Sequence, residues 1–413
     1  MTPAVDAVEG AGLGRRNNPE VEDFIHRRGS GPGGSGAAGG RQQRIKHNVS
    51  YVQHVSPGDA PSRARPRRPV ARPLPLAKVA GAHGLHLVKP DALRISRRRH
   101  GRGFAYYDAE GVRLRDPEAV ARLARLAVPP AYIEVRYAED PVAHLQAVGK
   151  DAAGRLQYRY HPEWEKVREL RKARRLVRLV EVLPRIRRSV AQHLASGSLS
   201  REMALAAVIE LVARSAIRPG SEDYARLHGT RGAATLLKSN VTVDGERVIL
   251  SFRAKGGKVV RKEFTAALLV PVLERMRELP GRRLFQFRDE GGDIRMVTAR
   301  VVNAFLREIA GGVMISLKDF RTLLASAAVL EALARQAPAT SARQRRRQVL
   351  DAVRSAADDL ANTPAICRRS YVHASVVAAF EEGVLEGLAD TLKRSRSAAL
   401  REQLLMKIVA IAA

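Results

Sequence analysis

Toward its C-terminal end the chain reads DDLANTPAICRRSYVHASVV, with Tyr371 nine positions after Asn362 and directly behind Arg368, Arg369 and Ser370. A tyrosine hydroxyl ionises near pH 10, so neighbouring cations are needed to make it a nucleophile at neutral pH. A phosphodiester attacked by such an oxygen passes through a pentavalent state whose charge rests on the nonbridging oxygens. Without a metal, fixed cations and hydrogen-bond donors must hold that charge. Arginine suits this, being planar, bidentate and always protonated, and a lysine can protonate the departing sugar oxygen. The chemistry therefore asks for two arginines, a lysine, one further donor and a tyrosine. The chain offers them in series: Arg218 in AIRPGSEDY, Lys255 in SFRAKGGKVV, Arg321 in SLKDFRT, and Asn362 and Tyr371 in ANTPAICRRSY. Taken singly, each also fits a blander role, because tyrosine packs well and most of the 72 Lys+Arg face solvent.

The composition supports a polyanionic partner. Lys+Arg 72 against Asp+Glu 42 leaves a formal net charge of +30, which points to nucleic acid. The length of 413 residues exceeds one usual core, and 45% hydrophobic residues suffice for a folded interior, so two domains are expected. No run approaches 18 uncharged apolar residues and no secretory h-region opens the chain, so no membrane span or signal is expected. The single cysteine, Cys367, excludes an internal disulfide and a Cys-rich zinc site, and reads as a packing residue. It fits a reducing cytoplasm. There is no Gly-x-x-x-x-Gly-Lys-Ser/Thr loop for a nucleotide. Acidic residues do not cluster as two-metal nucleases need, and DEGGD at 289–293 reads as a surface turn. Neither metal nor cofactor is expected.

The elements that must position these residues follow from the patterning. Residues 1–80 read as a disordered, basic tail rich in Gly and Pro, as in GSGPGGSGAAGG and SRARPRRPVARPLP. Residues 81–165 read as a small β-rich domain, with strand-like pieces in ISRRRHGRGFAYYDAEGVRLRD around a turn at Asp108 to Gly111. A short helix and LAVPPAYIEVRYAED follow, and VAHLQAVGKDAAGRLQYRYHPEWEKVREL is again strand-like, with aromatic and basic residues alternating. Basic helices follow from about residue 166. The helix after Ser200 is amphipathic, with Leu205, Val208, Ile209 and Val212 on one face, and stops near Ile217 to Gly220. VTVDGERVILSFRAKGGKVVRKEF is the clearest β-signal, with turns at Asp244-Gly245 and at Lys255 to Gly257. Ser316-x-x-Asp319 marks a helix start by a capping box. Residues 166–395 thus read as a mostly helical domain, and 396–413 as a last helix.

Short segments along the chain resemble the type IB DNA topoisomerases, in particular the bacterial and poxvirus-like branch. IRPGSEDYARLHGTRGAATLLKSNV is similar to that family's first arginine segment, FRAKGGKVVRKEF to its catalytic hairpin, LKDFRT to its second arginine helix, and ANTPAICRRSYVH to the segment ending in the nucleophile. DAAGRLQYRYHPEW and LAVPPAY resemble its DNA-clamping domain. The likeness runs from about Leu85 to about Leu385. It implies an α+β protein closing as a C-shaped clamp on duplex DNA, with a small β-rich domain and a mostly helical catalytic domain of the tyrosine recombinase/topoisomerase IB type. It implies that Tyr371 forms a 3′-phosphotyrosyl link, that Arg218 and Arg321 bind the nonbridging oxygens, and that Lys255 protonates the leaving 5′-oxygen. Asn362 stands where many members carry histidine; its amide can donate one hydrogen bond but holds no charge.

Among smaller features, Gln157, Tyr158, Arg159 and Tyr160 alternate polar and aromatic groups as a DNA-facing strand would, or as a strand with one buried face. Tyr224 and Lys238 are expected to touch phosphate or sugar, and His161, His228 and His373 to be surface or structural. The rivals are a tyrosine recombinase and a non-catalytic DNA-packaging protein. Recombinases usually carry His-x-x-Arg where this chain has Lys318 to Arg321, and Gly-His where it has Ala361-Asn362. A packaging protein has no use for the ordered Arg218, Lys255, Arg321 and Tyr371. A single chain acting near the bacterial nucleoid is expected.

Overall fold

The computed structural model describes residues 75–395 and 397–411. The tail expected at 1–80 lies outside the described residues as far as Leu74. Its last stretch departs from the expectation: Leu76–Gly81 forms a helix, α1, because Val79 and Ala80 find a buried apolar surface. The described residues fold as two compact units that part between Val167 and Arg168.

The first unit is a five-stranded antiparallel sheet: β1 (Ile95–His100), β2 (Gly103–Tyr107), β3 (Ile133–Tyr137), β4 (Leu145–Lys150) and β5 (Leu156–Tyr160), in the order β2-β1-β3-β4-β5. The β1–β2 hairpin turns at Gly101, in the left-handed region at φ 55, two residues past the end of the ISRRR run. The turn expected at Asp108 to Gly111 is present but follows β2, where the Val112 amide donates to Asp108 Oδ1 at 2.7 Å. Helix α2 (Pro117–Arg125) starts on Asp116, whose carboxylate accepts from the Glu118 and Ala119 amides. Its Leu123 packs with Ile95, Tyr106, Val135, Tyr137 and Ala147 on one face of the sheet.

The second unit is mostly helical. The basic run after Trp164 forms one helix, α3 (Trp164–Leu194), rather than several. At 31 residues it is about 46 Å long. Pro184 removes one backbone hydrogen bond, but Leu179, Leu183 and Ile186 are all buried along it, and that packing holds the helix through the break. Helix α4 (Arg201–Ser215) begins where Ser200 accepts from the Met203 amide at 3.2 Å. The one-sided amphipathicity expected there is corrected: eleven of its residues are buried, on every side, and it is the central rod of the unit, packed by later helices and by a sheet.

Around it come α5 (Glu222–His228), a three-stranded antiparallel sheet β6 (Val241–Asp244), β7 (Arg247–Arg253) and β8 (Val259–Thr265), and α6 (Val270–Glu278). A small hairpin follows, β9 (Gln286–Arg288) and β10 (Ile294–Met296), with 289–293 as its turn. The helices α7 (Ala299–Ile309), α8 (Leu317–Ala334), α9 (Ala342–Asp359), α10 (Pro364–Ser370), α11 (Ala374–Glu381), α12 (Ala389–Arg394) and α13 (Ala398–Ala410) complete it. Helix α8 starts as its capping box requires, the Ser316 amide donating to Asp319 Oδ2 at 2.7 Å. Helix α13 buries Leu404, Leu405, Ile408 and Val409 in the same core and packs on α8 and α11.

Candidate active site

Arg218 follows the end of α4, where Ala216 turns left-handed at φ 54. Its loop is pinned from behind: the Ala233 amide donates to the Arg218 carbonyl at 2.7 Å and the Ala234 amide to the Pro219 carbonyl at 2.8 Å. Gly232 makes this close approach possible. A Cβ there would lie 2.5 Å from the Arg218 oxygen and 2.5 Å from the Gly220 nitrogen.

Asn362 is delivered by the end of α9. The chain turns at Ala361, φ 50, with the Asn362 amide donating to the Ala357 carbonyl at 2.9 Å and the Ala361 amide to Asp358 at 3.1 Å. That is a Schellman termination with alanine in the place glycine usually holds. Arg321 ties the two left-handed turns together. Its Nη1 donates to the Ala216 carbonyl and its Nη2 to the Leu360 carbonyl, the latter at 3.0 Å. Arg218 Nη2 donates to Asn362 Oδ1.

Tyr371 stands one residue past α10, its ring 4.9 Å from the Arg321 guanidinium carbon. Four of the five candidates, Arg218, Arg321, Asn362 and Tyr371, are therefore gathered at one place. Arg321, Asn362 and Tyr371 are 1%, 6% and 6% exposed. Two donors are left over: Arg321 Nε and Asn362 Nδ2 are buried without a hydrogen-bond partner. Other arginine Nε atoms of the chain share that state, but these two donors lie among the gathered cations beside Tyr371, where an anion would satisfy both.

The electrostatics suit an anion as well. Burial alone would raise the Tyr371 hydroxyl, but Arg321 and Arg218, a hydrogen bond from Arg321, and Lys318 outweigh it and hold the phenol below its ordinary value. Burial and the neighbouring Arg321 push Arg218 down to about 10, with Tyr371 pulling the other way. Burial pushes the Cys367 thiol, fully enclosed on α10, up to about 11.

Lys255 comes from a hairpin tip. It caps the β7–β8 hairpin, where Gly256 and Gly257 take φ 77 and 76, and its ammonium lies 5.6 Å from the centre of the Tyr224 ring. Tyr224 is exposed on α5. Lys238, expected to meet phosphate, turns its ammonium onto the Leu279 carbonyl at the end of α6. Gln157 is buried and donates to Asp151 at 2.9 Å, and Arg159 donates to the Ala127 carbonyl at 3.0 Å. Tyr158 and Tyr160 stack at 6.2 Å, and Tyr160 on Trp164 at 6.0 Å. Of these β5 residues, Tyr158, Arg159 and Tyr160 are half-buried and keep part of each side chain at the surface. Among the histidines, His161 accepts from the Glu163 amide and His373 is buried.

Two site residues escape the sequence reading. Lys318 lies one turn before Arg321 on α8; burial lowers its ammonium, with Tyr371 and Asp319 opposing. Its signal was the i, i+3 spacing, which places both cations on one helix face. Lys262 lines a recess with Arg218, Arg231, Arg321 and Asp359, its Nζ 3.4 Å from Asp359 Oδ1. Its signal was period two: it falls between Val260 and Phe264 on the inward face of β8.

Comparison with known proteins gives the context. The family described as "Eukaryotic DNA topoisomerase I, catalytic core" matches residues 161–397, and "Bacterial DNA topoisomerase IB, N-terminal domain" matches 103–151. A DNA topoisomerase 1B from Acanthamoeba polyphaga mimivirus is 27% identical over 285 residues, 67% of this chain and 84% of the relative. Among solved structures, the XerH site-specific recombinase bound to its difH substrate aligns over 46% of this chain and 49% of that one, at 13% identity and a TM-score of 0.28.

Proposed function

This chain belongs to the type IB DNA topoisomerase family, whose catalytic core spans more than half of it, and on that premise we propose how its own residues carry the reaction. A type IB DNA topoisomerase changes DNA linkage by cutting and resealing one strand. Tyr371 Oη, having given up its proton to solvent, attacks the phosphorus; the Oη–P bond forms as the P–O5′ bond breaks, and the 3′-phosphate stays on the tyrosine. Arg218 and Arg321 hold the nonbridging oxygens, and the Nδ2 of Asn362 donates a further hydrogen bond. Lys255 gives its proton to the leaving 5′-oxygen, the hairpin tip carrying it there from Tyr224. The phosphodiester is conserved as a phosphotyrosyl ester, so the 5′-hydroxyl can reverse the step after the strand has swivelled. Lys318 joins Arg218 and Arg321 in stabilising the phenolate.

The observation that carries this reading is the pair of buried, unpartnered donors, Arg321 Nε and Asn362 Nδ2, beside a tyrosine whose hydroxyl the neighbouring cations hold below its ordinary pKa. The recombinase alternative is the weaker one, because both family matches name topoisomerase domains. A single copy suffices, since every proposed group comes from one chain, and the nucleoid is where it would meet its substrate. Tyr224, Lys238 and the β5 residues Gln157, Tyr158, Arg159 and Tyr160 remain proposed DNA contacts, to be probed singly.

The test is plasmid relaxation in EDTA without ATP, wild type beside Tyr371→Phe. The wild type is expected to relax both signs of supercoil and, on denaturation, to stay linked to a DNA 3′ end. Tyr371→Phe is expected to bind DNA and do neither. A covalent adduct in Tyr371→Phe would remove Tyr371 from the mechanism.

A further inference from the structure

The backbone that presents Tyr371 is held in an unusual way. Helix α10 ends at Ser370, and the carbonyls at and just past its end have no intrahelical partners. Three of them are taken by side chains from other helices. Lys172 Nζ, from α3, donates to the Arg369 carbonyl at 3.0 Å and to the Val372 carbonyl at 3.3 Å. Ser326 Oγ, from α8, donates to the Tyr371 carbonyl itself at 2.9 Å and accepts from the His373 amide at 3.1 Å. Glu169, one turn before Lys172 and paired with it, accepts from the Ala374 amide through Oε2 at 3.2 Å. The His373 ring completes the enclosure. Its Nδ1 accepts from the Ser375 amide at 3.2 Å and its Nε2 lies 3.2 Å from the Glu169 carbonyl, which fixes a neutral imidazole with the proton on Nε2.

We propose that Lys172, Glu169 and Ser326 are positioning residues for the nucleophile: a bracket that fixes the main chain of residues 369–374 so that Tyr371 Oη meets phosphorus in line with the leaving oxygen. None of them faces the proposed reacting atoms. All act through backbone groups on either side of Tyr371. Ser326 stands on the same helix as Arg321 and Lys318, so α8 fixes the nucleophile's backbone and supplies two of the cations that tune it. An in-line displacement is sensitive to such placement, and a misplacement of about 1 Å can lower the rate on the order of 100-fold. The proposal rests on Tyr371 being the nucleophile.

The experiment is single-turnover cleavage of a duplex carrying a site mapped with the wild-type protein, with DNA affinity and Tm measured in parallel. Lys172→Met is expected to cleave about 10- to 100-fold more slowly at unchanged DNA affinity, with Lys172→Arg recovering part of the loss. A second substrate has sulfur in place of the bridging 5′-oxygen, giving a leaving group that needs no proton. It should restore Lys255→Ala, whose defect is the acid, and leave Lys172→Met slow, whose defect is the nucleophile. A folded Lys172→Met that cleaves at the wild-type rate, or is restored by sulfur, overturns the bracket. Should Lys172→Met fail to fold, Ser326→Ala decides: slowed cleavage supports the bracket and the wild-type rate overturns it. An adduct formed by Tyr371→Phe in the same assay would instead defeat the reading of Tyr371 as nucleophile.

Discussion

Tyr371 ionises in the field of Arg321, Arg218 and Lys318, and that sets how its reactivity responds to pH. A cation beside a phenolate favours the charged form and lowers the phenol's pKa; removing the cation raises it. Lys318→Ala should therefore shift the alkaline-rising limb of the cleavage rate to higher pH, with a deficit at pH 7 that narrows as pH rises. Cleavage rates from pH 6 to 10 check this; a uniform loss at every pH would give Lys318 another role. Four of the gathered residues were legible because their segments are short and distinctive: Arg218 before Pro-Gly, Arg321 in a capped helix, Asn362 and Tyr371 flanking TPAICRRS. Lys318 and Lys262 were hidden among 72 basic residues, since composition does not say which ammonium is drawn inward. Lys238, expected at a phosphate, has its ammonium on the carbonyl terminus of α6 in this structure.

At the scale of elements, the site depends on two chain reversals and a glycine. Gly232 lets the GAAT segment donate to the Arg218 loop, and a methyl group there would fall within 2.6 Å of three backbone atoms of that loop. Gly232→Ala should lower stability by at least about 1–3 kcal/mol and slow cleavage more than it weakens DNA binding, because the loop it displaces holds Arg218. Urea unfolding and single-turnover cleavage on one preparation would show it; wild-type values in both would mean that the loop yields freely. The hairpin strands and the start of α8 were plain in the sequence, from alternation and from Ser316-x-x-Asp319. The end of α9 was not, because Ala361 occupies a left-handed position where glycine would have signalled the turn. The character of α4 was also misread: its apolar residues cover every side, and a helix that is central rather than peripheral shows no face to find.

For the whole molecule, the charge of +30 suits a partner met mainly through its phosphates. Its affinity should fall steeply between about 50 and 200 mM salt, roughly a thousand-fold or more if six or more phosphates are neutralised, with log Kd linear in log salt. Fluorescence anisotropy on one labelled duplex measures the slope, and a flat line would mean that phosphates contribute little. The persistence of α3 past Pro184 was not legible in the sequence, because it is decided by burial along the helix rather than by local propensity. Enclosure of the chain's single thiol has a practical sequel. With Cys367 wholly buried and its pKa pushed up to about 11, the native protein offers maleimide reagents almost no thiolate at neutral pH. A cysteine engineered at the hairpin tip or on the exposed face of α9 would take a dye alone, so swivelling and hairpin motion can be followed by fluorescence on single molecules without first stripping the protein of its own sulfur.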